Sequence, residues 1–308
     1  MTRRGQWCSK KTLARGSFDD KNSLAPDECV SCSGGLVTVR AIINHGILVL
    51  GVVFLITPIA LLFFSSTHST ATLQTDGLQL SWGAYLQRNY WSIVNFEAGF
   101  SDEVTPLAML KNSMIVGVGV ATLTTLFSLL SAYAIVFFRL PWSNGIFWLI
   151  LTTLLFPLEA RFINTFQVTS DLGLINSHTG VILPVLAAAL GTFFYRQFFR
   201  TLPEELLEAA MLDGAGPVKF LRDIVIPLSW PRTGAIFVIA FMIGWNQYLW
   251  PLMISTDDSL YTLVRGIQLI GQSSGPGMAL VMITIIPPFF LLLIFQRWFF
   301  NSLALTDK

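Results

Sequence analysis

The chain has 308 residues, of which 53% are hydrophobic and only 12% charged, and its mean hydropathy is +0.64. Soluble domains are roughly one quarter charged, so this composition excludes an ordinary water-soluble globule and points to a membrane protein. A formal net charge of +1 supplies no basic field for nucleic acid, and no RNP, zinc-finger or basic-helix pattern occurs, so nucleic acid is not an expected partner.

Residues 1–36 are polar, with Arg3, Arg4, Lys10, Lys11, Arg15 and Lys21 beside Asp19, Asp20, Asp27 and Glu28. They lack the apolar run of a signal peptide and read as a disordered cytoplasmic extension. All three cysteines, Cys8, Cys29 and Cys32, lie there, so no disulfide framework holds the apolar part together. Cys29 and Cys32 have C-x-x-C spacing, but neither a second pair nor a nearby histidine pair completes a four-ligand site, so no metal is expected.

Residues 37–107 hold the first membrane helix and an external segment. The helix is the nearly continuous apolar run 41–64, about 36 Å at ~1.5 Å per residue, enough to cross a hydrocarbon core of about 30 Å. Beyond it, residues 65–110 become polar and aromatic, with Trp82, Tyr85, Tyr90 and Trp91, as suits a segment at headgroup level. Further apolar runs lie near 112–138, 145–163, 232–254 and 279–300. Another, near 178–198, is broken by Pro184 and Gly191, which membrane helices tolerate where neighbours satisfy the freed backbone. The expected fold is all-α, a polytopic membrane protein with about six transmembrane helices.

Basic residues set the orientation, because cytoplasmic flanks carry the excess of Lys and Arg. With the N-terminus inside, the inner flanks hold Arg40, Arg139, Arg196, Arg200, Lys219, Arg222, Arg232 and Arg297, against Arg88, Lys111, Arg161 and Arg265 outside. Both termini, and the loop 199–231, are expected in the cytoplasm.

That loop reads FRTLPEELLEAAMLDGAGPVKFLRDIVIPLSWP. Thr201 with Glu204 has capping-box spacing, Pro203 suits a first turn, and Glu204, Glu205 and Glu208 sit where a helix dipole favours negative charge. Leu206, Leu207, Ala210 and Met211 share one side, and Gly214, Gly216 and Pro217 end the helix. A second short helix is expected over 218–225, before Pro227 and Pro231. On these features alone, an amphipathic helix lying in the headgroups competes with a docking element.

The spacing adds more. Glu208-Ala209-Ala210, Gly214 three residues on, Ile224 after nine more, and Pro227 resemble the EAA loop of ABC importer permeases, EAA-x3-G-x9-I-x-L-P, with Ile226 at the position that prefers Leu. The resemblance runs from about residue 108 to the C-terminus, so 108–300 is expected to form the type I ABC importer transmembrane core. The stretches 131–141, 156–162, 196–220 and 244–254 look closest to permease subunits of sn-glycerol-3-phosphate importers. Membership implies a bacterial cytoplasmic (inner) membrane complex with a homologous second permease, an ATPase subunit dimer and an extracytoplasmic solute-binding protein. It also implies that Glu208, Ala209, Ala210, Asp213, Gly214, Ile224 and Pro227 couple to the ATPase. This chain has no GxxxxGK[ST] motif, so ATP and Mg belong to the partner, and no catalytic residue or bound cofactor is expected here.

Two groups are candidates for the solute path. Glu159 and Arg161 lie near the outer end of the 145–163 run, where a charge either faces a cavity or anchors the membrane edge. Trp245, Asn246, Gln247 and Tyr248 lie inside the 232–254 run, where amides need partners, either solute or neighbouring helices. His45, His68 and His178 are isolated. The expected solute is sn-glycerol-3-phosphate or a glycerophosphodiester. A sugar or oligosaccharide is the rival, because such importers share the loop and span count. An intramembrane enzyme would need paired carboxylates, a Ser/His pair or a metal motif in the spans, and none is visible. A secondary transporter would show an inverted repeat or dense intramembrane charge, and neither is seen.

Overall fold

The computed structural model describes residues 34–95, 104–138, 140–186, 188–271 and 273–304, without the side chains of 34–40, 158, 159 and 298–304. Residues 1–33 with their cysteines, Arg139 and the side chain of Glu159 therefore lie outside the described part of the chain. Among the described residues the structure is helical, with no strand.

The chain divides into two compact units, residues 1–54 and 55–308. The first contains most of α1 (Gly34–Ser65), whose apolar stretch Ala41–Ser65 is long enough to cross a membrane. The second begins with the end of α1 and continues through α2 (Thr70–Thr75) and α3 (Leu86–Val94). Next come α4 (Pro106–Phe137), α5 (Ser143–Thr152), α6 (Phe162–Asp171), α7 (His178–Ile182) and α8 (Ala188–Phe199). After them come α9 (Glu204–Leu212), α10 (Pro217–Phe220) and α11 (Ile226–Trp245). The last are α12 (Leu249–Ile254), α13 (Leu263–Ile270) and α14 (Gly275–Ala304).

In the second unit, α4 packs along α8 and α11, and α11 along α14. Hydrophobic burial cannot drive helices together in lipid, so close backbone approach through small residues has to. A Cβ added to Gly244 would stand 2.9 Å from the Val120 Cβ and 3.3 Å from the Gly117 Cα. Ala121 and Ala240, both buried, continue this seam. Replacing Gly244 with Ala should therefore push α11 off α4 and cost about 1–3 kcal/mol. The check is the thermal midpoint of the purified protein in detergent, and an unchanged midpoint would show that the seam relaxes freely.

Four helices are long and apolar enough to span a membrane, and a fifth span arises if the pair His178–Val185 and Ala188–Phe199, bent by 50°, counts as one. Pro184 lies in the last turn of the first and has no N–H to offer the Gly180 carbonyl, which accepts instead from the Trp250 indole N–H of α12 at 3.1 Å, so a neighbouring helix does serve the broken backbone. Gly191 makes room, since its Cβ would lie 2.4 Å from the Ser128 Oγ. The run expected as a continuous span over 145–163 differs. Its apolar helix covers only Ser143–Leu155. Phe156 is extended (φ −94, ψ 102), as the residue before Pro157 must be, and the chain restarts as a 3-10 turn, Leu158–Arg161, that leads into α6. The 232–254 run is likewise divided, α11 ending at Trp245 and α12 starting at Leu249. Pro251 has no N–H to offer the Gln247 carbonyl, so the helical ladder fails there.

Segment 65–95 forms a cap held by polar contacts. The Asn89 amide donates to the Ser66 and His68 carbonyls, both at 2.8 Å, and Trp82 packs edge-on against Phe63 and Phe64. Trp82 and Trp91 stay exposed, the aromatic pattern of a membrane interface.

Candidate coupling site and solute path

At one end of the second unit, α9 stands on an aromatic bed. Leu207, Ala210 and Ala215 pack with Tyr133, Phe137, Phe199, Phe220 and Val225, and the Tyr133 hydroxyl donates to the Pro217 carbonyl at 2.8 Å. Only this side of α9 faces inward. Leu206 and Met211, expected on the same face, are exposed, and Leu212 is 90% exposed. The expected capping box does not form. The Thr201 hydroxyl donates instead to the Phe198 carbonyl at 2.7 Å, at the end of α8 where carbonyls lack helical partners, and Pro203 becomes the N-cap without a side-chain acceptor.

The C-terminal end is fully built. The Ala215 N–H reaches the Ala210 carbonyl at 2.9 Å and the Gly214 N–H the Met211 carbonyl at 3.0 Å, the paired bonds of a Schellman motif. Gly214 takes φ +71, the left-handed backbone that this motif demands, with no atom within 4 Å of an added Cβ. Asp213 is the exposed C-cap residue. Glu208 and Ala209 are exposed on the outer side of α9. Glu208 also lines a cleft of about 460 Å³ with Glu204, Arg196, Arg200 and Asn144.

The second short helix expected over 218–225 is instead continuous with the adjoining span. After α10 the backbone widens into one π turn, Leu221–Val225, and enters α11 directly. Pro227 explains the widening, because its ring crowds the carbonyl four residues back. Ile224 is half-buried under α9 among the aromatic bed. The predicted coupling residues thus fall into two groups. Glu208, Ala209, Asp213 and Gly214 shape the knob, whereas Ala210, Ile224 and Pro227 fasten it to the span.

The path candidates also separate. Trp245 is 2% exposed and stacks on Phe241 at 5.4 Å, and the Gln247 amide donates to the Ile243 carbonyl at 3.1 Å, so both are packing residues. Asn246 is exposed and Tyr248 half-exposed at the break between α11 and α12. Arg161 is exposed at the head of α6, and among the described residues its side chain has no hydrogen-bond or ion-pair partner. Its neighbour Phe162 stacks on Trp250 at 6.0 Å, in a cluster with Val116 and Val120 of α4. Arg161 therefore stands at the point where α6 begins to pack on α12. Sequence reasoning missed α6, because its polar residues read as a loop. The signal was there in the apolar spacing of Phe162, Phe166 and Thr169 against Asn164, Gln167 and Asp171.

Above α6 the loops are clasped together. Asn176, at φ 55, accepts from the Thr256 and Asp257 N–H groups at 2.7 and 3.1 Å. Asn112 donates to the Ser259 and Tyr261 carbonyls and bonds His178 at 3.0 Å. Arg265 lies over the Tyr261 ring at 3.6 Å and donates to the Ser255 and Pro251 carbonyls. The Ser259 N–H holds the Asp257 carboxyl below the usual carboxylate range.

A bundle of apolar helices, three of its apolar runs broken, with a short helix capped at its C-terminus at one end, has the build of a membrane permease subunit. The chain belongs to the family of binding-protein-dependent transport system inner membrane components, which matches residues 113–304. It is 42% identical over 271 residues to the sn-glycerol-3-phosphate transport system permease protein UgpE of Yersinia pestis bv. Antiqua, covering 86% of this chain and 96% of that one. The UgpE of Agrobacterium fabrum is 39% identical over 279 residues, covering 88% and 98%. A solved chain from a bacterial ABC transporter involved in import of the acidic polysaccharide alginate superposes with a TM-score of 0.70 over 86% of this chain and 98% of its own. At 20% identity that likeness shows the fold. The protein is thus a multi-pass inner-membrane permease of the ABC transporter class, a transport subunit.

Proposed function

We propose that this chain forms half of the translocation path of an importer for sn-glycerol-3-phosphate or a glycerophosphodiester. The observation that carries the reading is the 42% identity to a permease named for that solute over nearly the whole of both chains. Arg161, exposed and without a partner among the described residues, fits an anionic cargo, since a charge facing lipid costs about 3 kcal/mol on insertion scales. A homologous permease supplies the other half, with 108–300 as the shared core. A solute-binding protein delivers cargo from outside. An ATPase dimer, which alone uses ATP and Mg, grips α9 from the cytoplasm through Leu206, Met211, Leu212 and Glu208 within the loop 199–231.

The orientation rests on charge. The α9 end of the second unit carries Arg196, Arg200, Lys219, Arg222 and Arg232, and the opposite half Arg88, Lys111, Arg161 and Arg265, so α9 faces the cytoplasm together with both termini. The test is ATP-dependent uptake by the complex reconstituted in proteoliposomes. Labelled sn-glycerol-3-phosphate should accumulate and labelled maltotriose should not; the reverse result would move the protein to the oligosaccharide importers.

A further inference from the structure

The exposed face of α6 is polar where its opposite face is apolar. Its buried side is Phe162, Thr165, Phe166 and Thr169, turned toward Trp250 and the α4 valines. Opposite it stand Asn164, Gln167 and Asp171, all exposed, at the i, i+3, i+7 spacing that aligns side chains along one helix face. Ile163 and Val168, 79% and 57% exposed, flank them. Phe162 is buried and stacks on Trp250, so α6 begins packed against α12 rather than in a free loop, and its 10 residues rise about 15 Å at ~1.5 Å per residue. Among the described residues, neither the Asn164 nor the Gln167 amide has a hydrogen-bond partner, and lipid would offer none to any part of that face within the hydrocarbon. An amide stripe there calls for water, a polar solute or a polar partner chain, and a solute path supplies the first two.

We infer that Asn164 and Gln167 line the outer half of the solute path and act as specificity-determining residues, donating and accepting hydrogen bonds to the hydroxyls of a small polyol phosphate. Arg161, at the inner end of the stripe, receives its phosphate. Asp171 marks where the stripe emerges into water, where solvent and salt screen its charge. Neutral amides between an outer carboxylate and an inner guanidinium let an anion pass without a deep trap, while the hydroxyls replace lost water. The solute assignment rests on the reading under Proposed function, whereas the lining of the path does not.

Two measurements separate these parts. With Cys8, Cys29 and Cys32 changed to Ser, single cysteines are placed at 164, 167 and, as a buried reference, 162. The assembled complex, trapped with a non-hydrolysable ATP analogue, is exposed from outside to a charged, membrane-impermeant thiol reagent. Positions 164 and 167 should react and 162 should not. If 164 and 167 stay unreactive both with and without the nucleotide, the face packs on lipid or on the second permease and the inference is overturned. In the kinetic arm, Asn164→Leu and Gln167→Leu should each raise the KM for sn-glycerol-3-phosphate about tenfold, the loss of roughly one good hydrogen bond, with the subunits still co-purifying. Wild-type KM in both variants would remove the specificity role. Labelling at 164 and 167, together with no uptake of sn-glycerol-3-phosphate by the complex that keeps Asn164 and Gln167, would sink the polyol-phosphate assignment and not the path.

Discussion

Gly214→Val should leave the chain folded and inserted yet uncouple it from its ATPase, with stimulation of ATP hydrolysis by loaded binding protein falling about tenfold or more. The cause is backbone conformation alone. Nothing lies within 4 Å of an added Cβ, so the substitution meets no steric clash. At φ +71, however, an L-residue costs roughly 1–2 kcal/mol, and a β-branched one more. Relaxing that strain breaks the bonds from Gly214 and Ala215 that end α9 and reorients its exposed Leu212 and Asp213. Gly214→Asn supplies the control, because asparagine enters the left-handed region at little cost and should retain most coupling. Glu208→Lys reverses a charge on the exposed side of α9 and should weaken capture of the ATPase in a pull-down. If Gly214→Val and Glu208→Lys both preserved docking and stimulation, α9 would be a surface helix resting in the headgroups.

The second large effect is expected at Arg161. Its replacement by Ala should lower uptake of sn-glycerol-3-phosphate by about 10- to 100-fold while the complex stays assembled, the loss of a hydrogen bond to a charged group worth about 1.5–3 kcal/mol. Arg161→Lys keeps the charge without the fork and should fall between the two. The decisive comparison is the initial rate of uptake by proteoliposomes at matched ATPase content. Wild-type kinetics for Arg161→Ala would place the guanidinium at the membrane edge as an anchor.

Much of the molecule was legible in one dimension because membrane burial writes itself as uninterrupted apolar runs and because the EAA-like loop has fixed spacing. The spans over 41–64, 112–138 and 279–300 needed nothing more, and the left-handed turn at Gly214 was suggested by glycines just past a helical stripe. Less legible were features that depend on which acceptor is nearest in space. Thr201 had the spacing of a capping box, but its hydroxyl turns to the Phe198 carbonyl instead. Trp245 sat in a polar, aromatic cluster that could have met solute, but its ring is stacked on Phe241 in the core.

Composition and hydropathy alone determined that this protein lives in a membrane, and motif spacing alone singled out the loop proposed to meet its motor. Both are properties of local sequence, set by transfer of side chains into lipid and by the dihedral demands of a short helix and its cap. Tertiary structure alone decided which polar residues are spent on neighbours and which stand exposed on the chain. Whether an amide near a broken span spends its hydrogen bonds on a neighbouring carbonyl, as Gln247 does, or stands exposed, as Asn164 and Gln167 do, depends on how proline breaks redirect the chain and on what packs behind it.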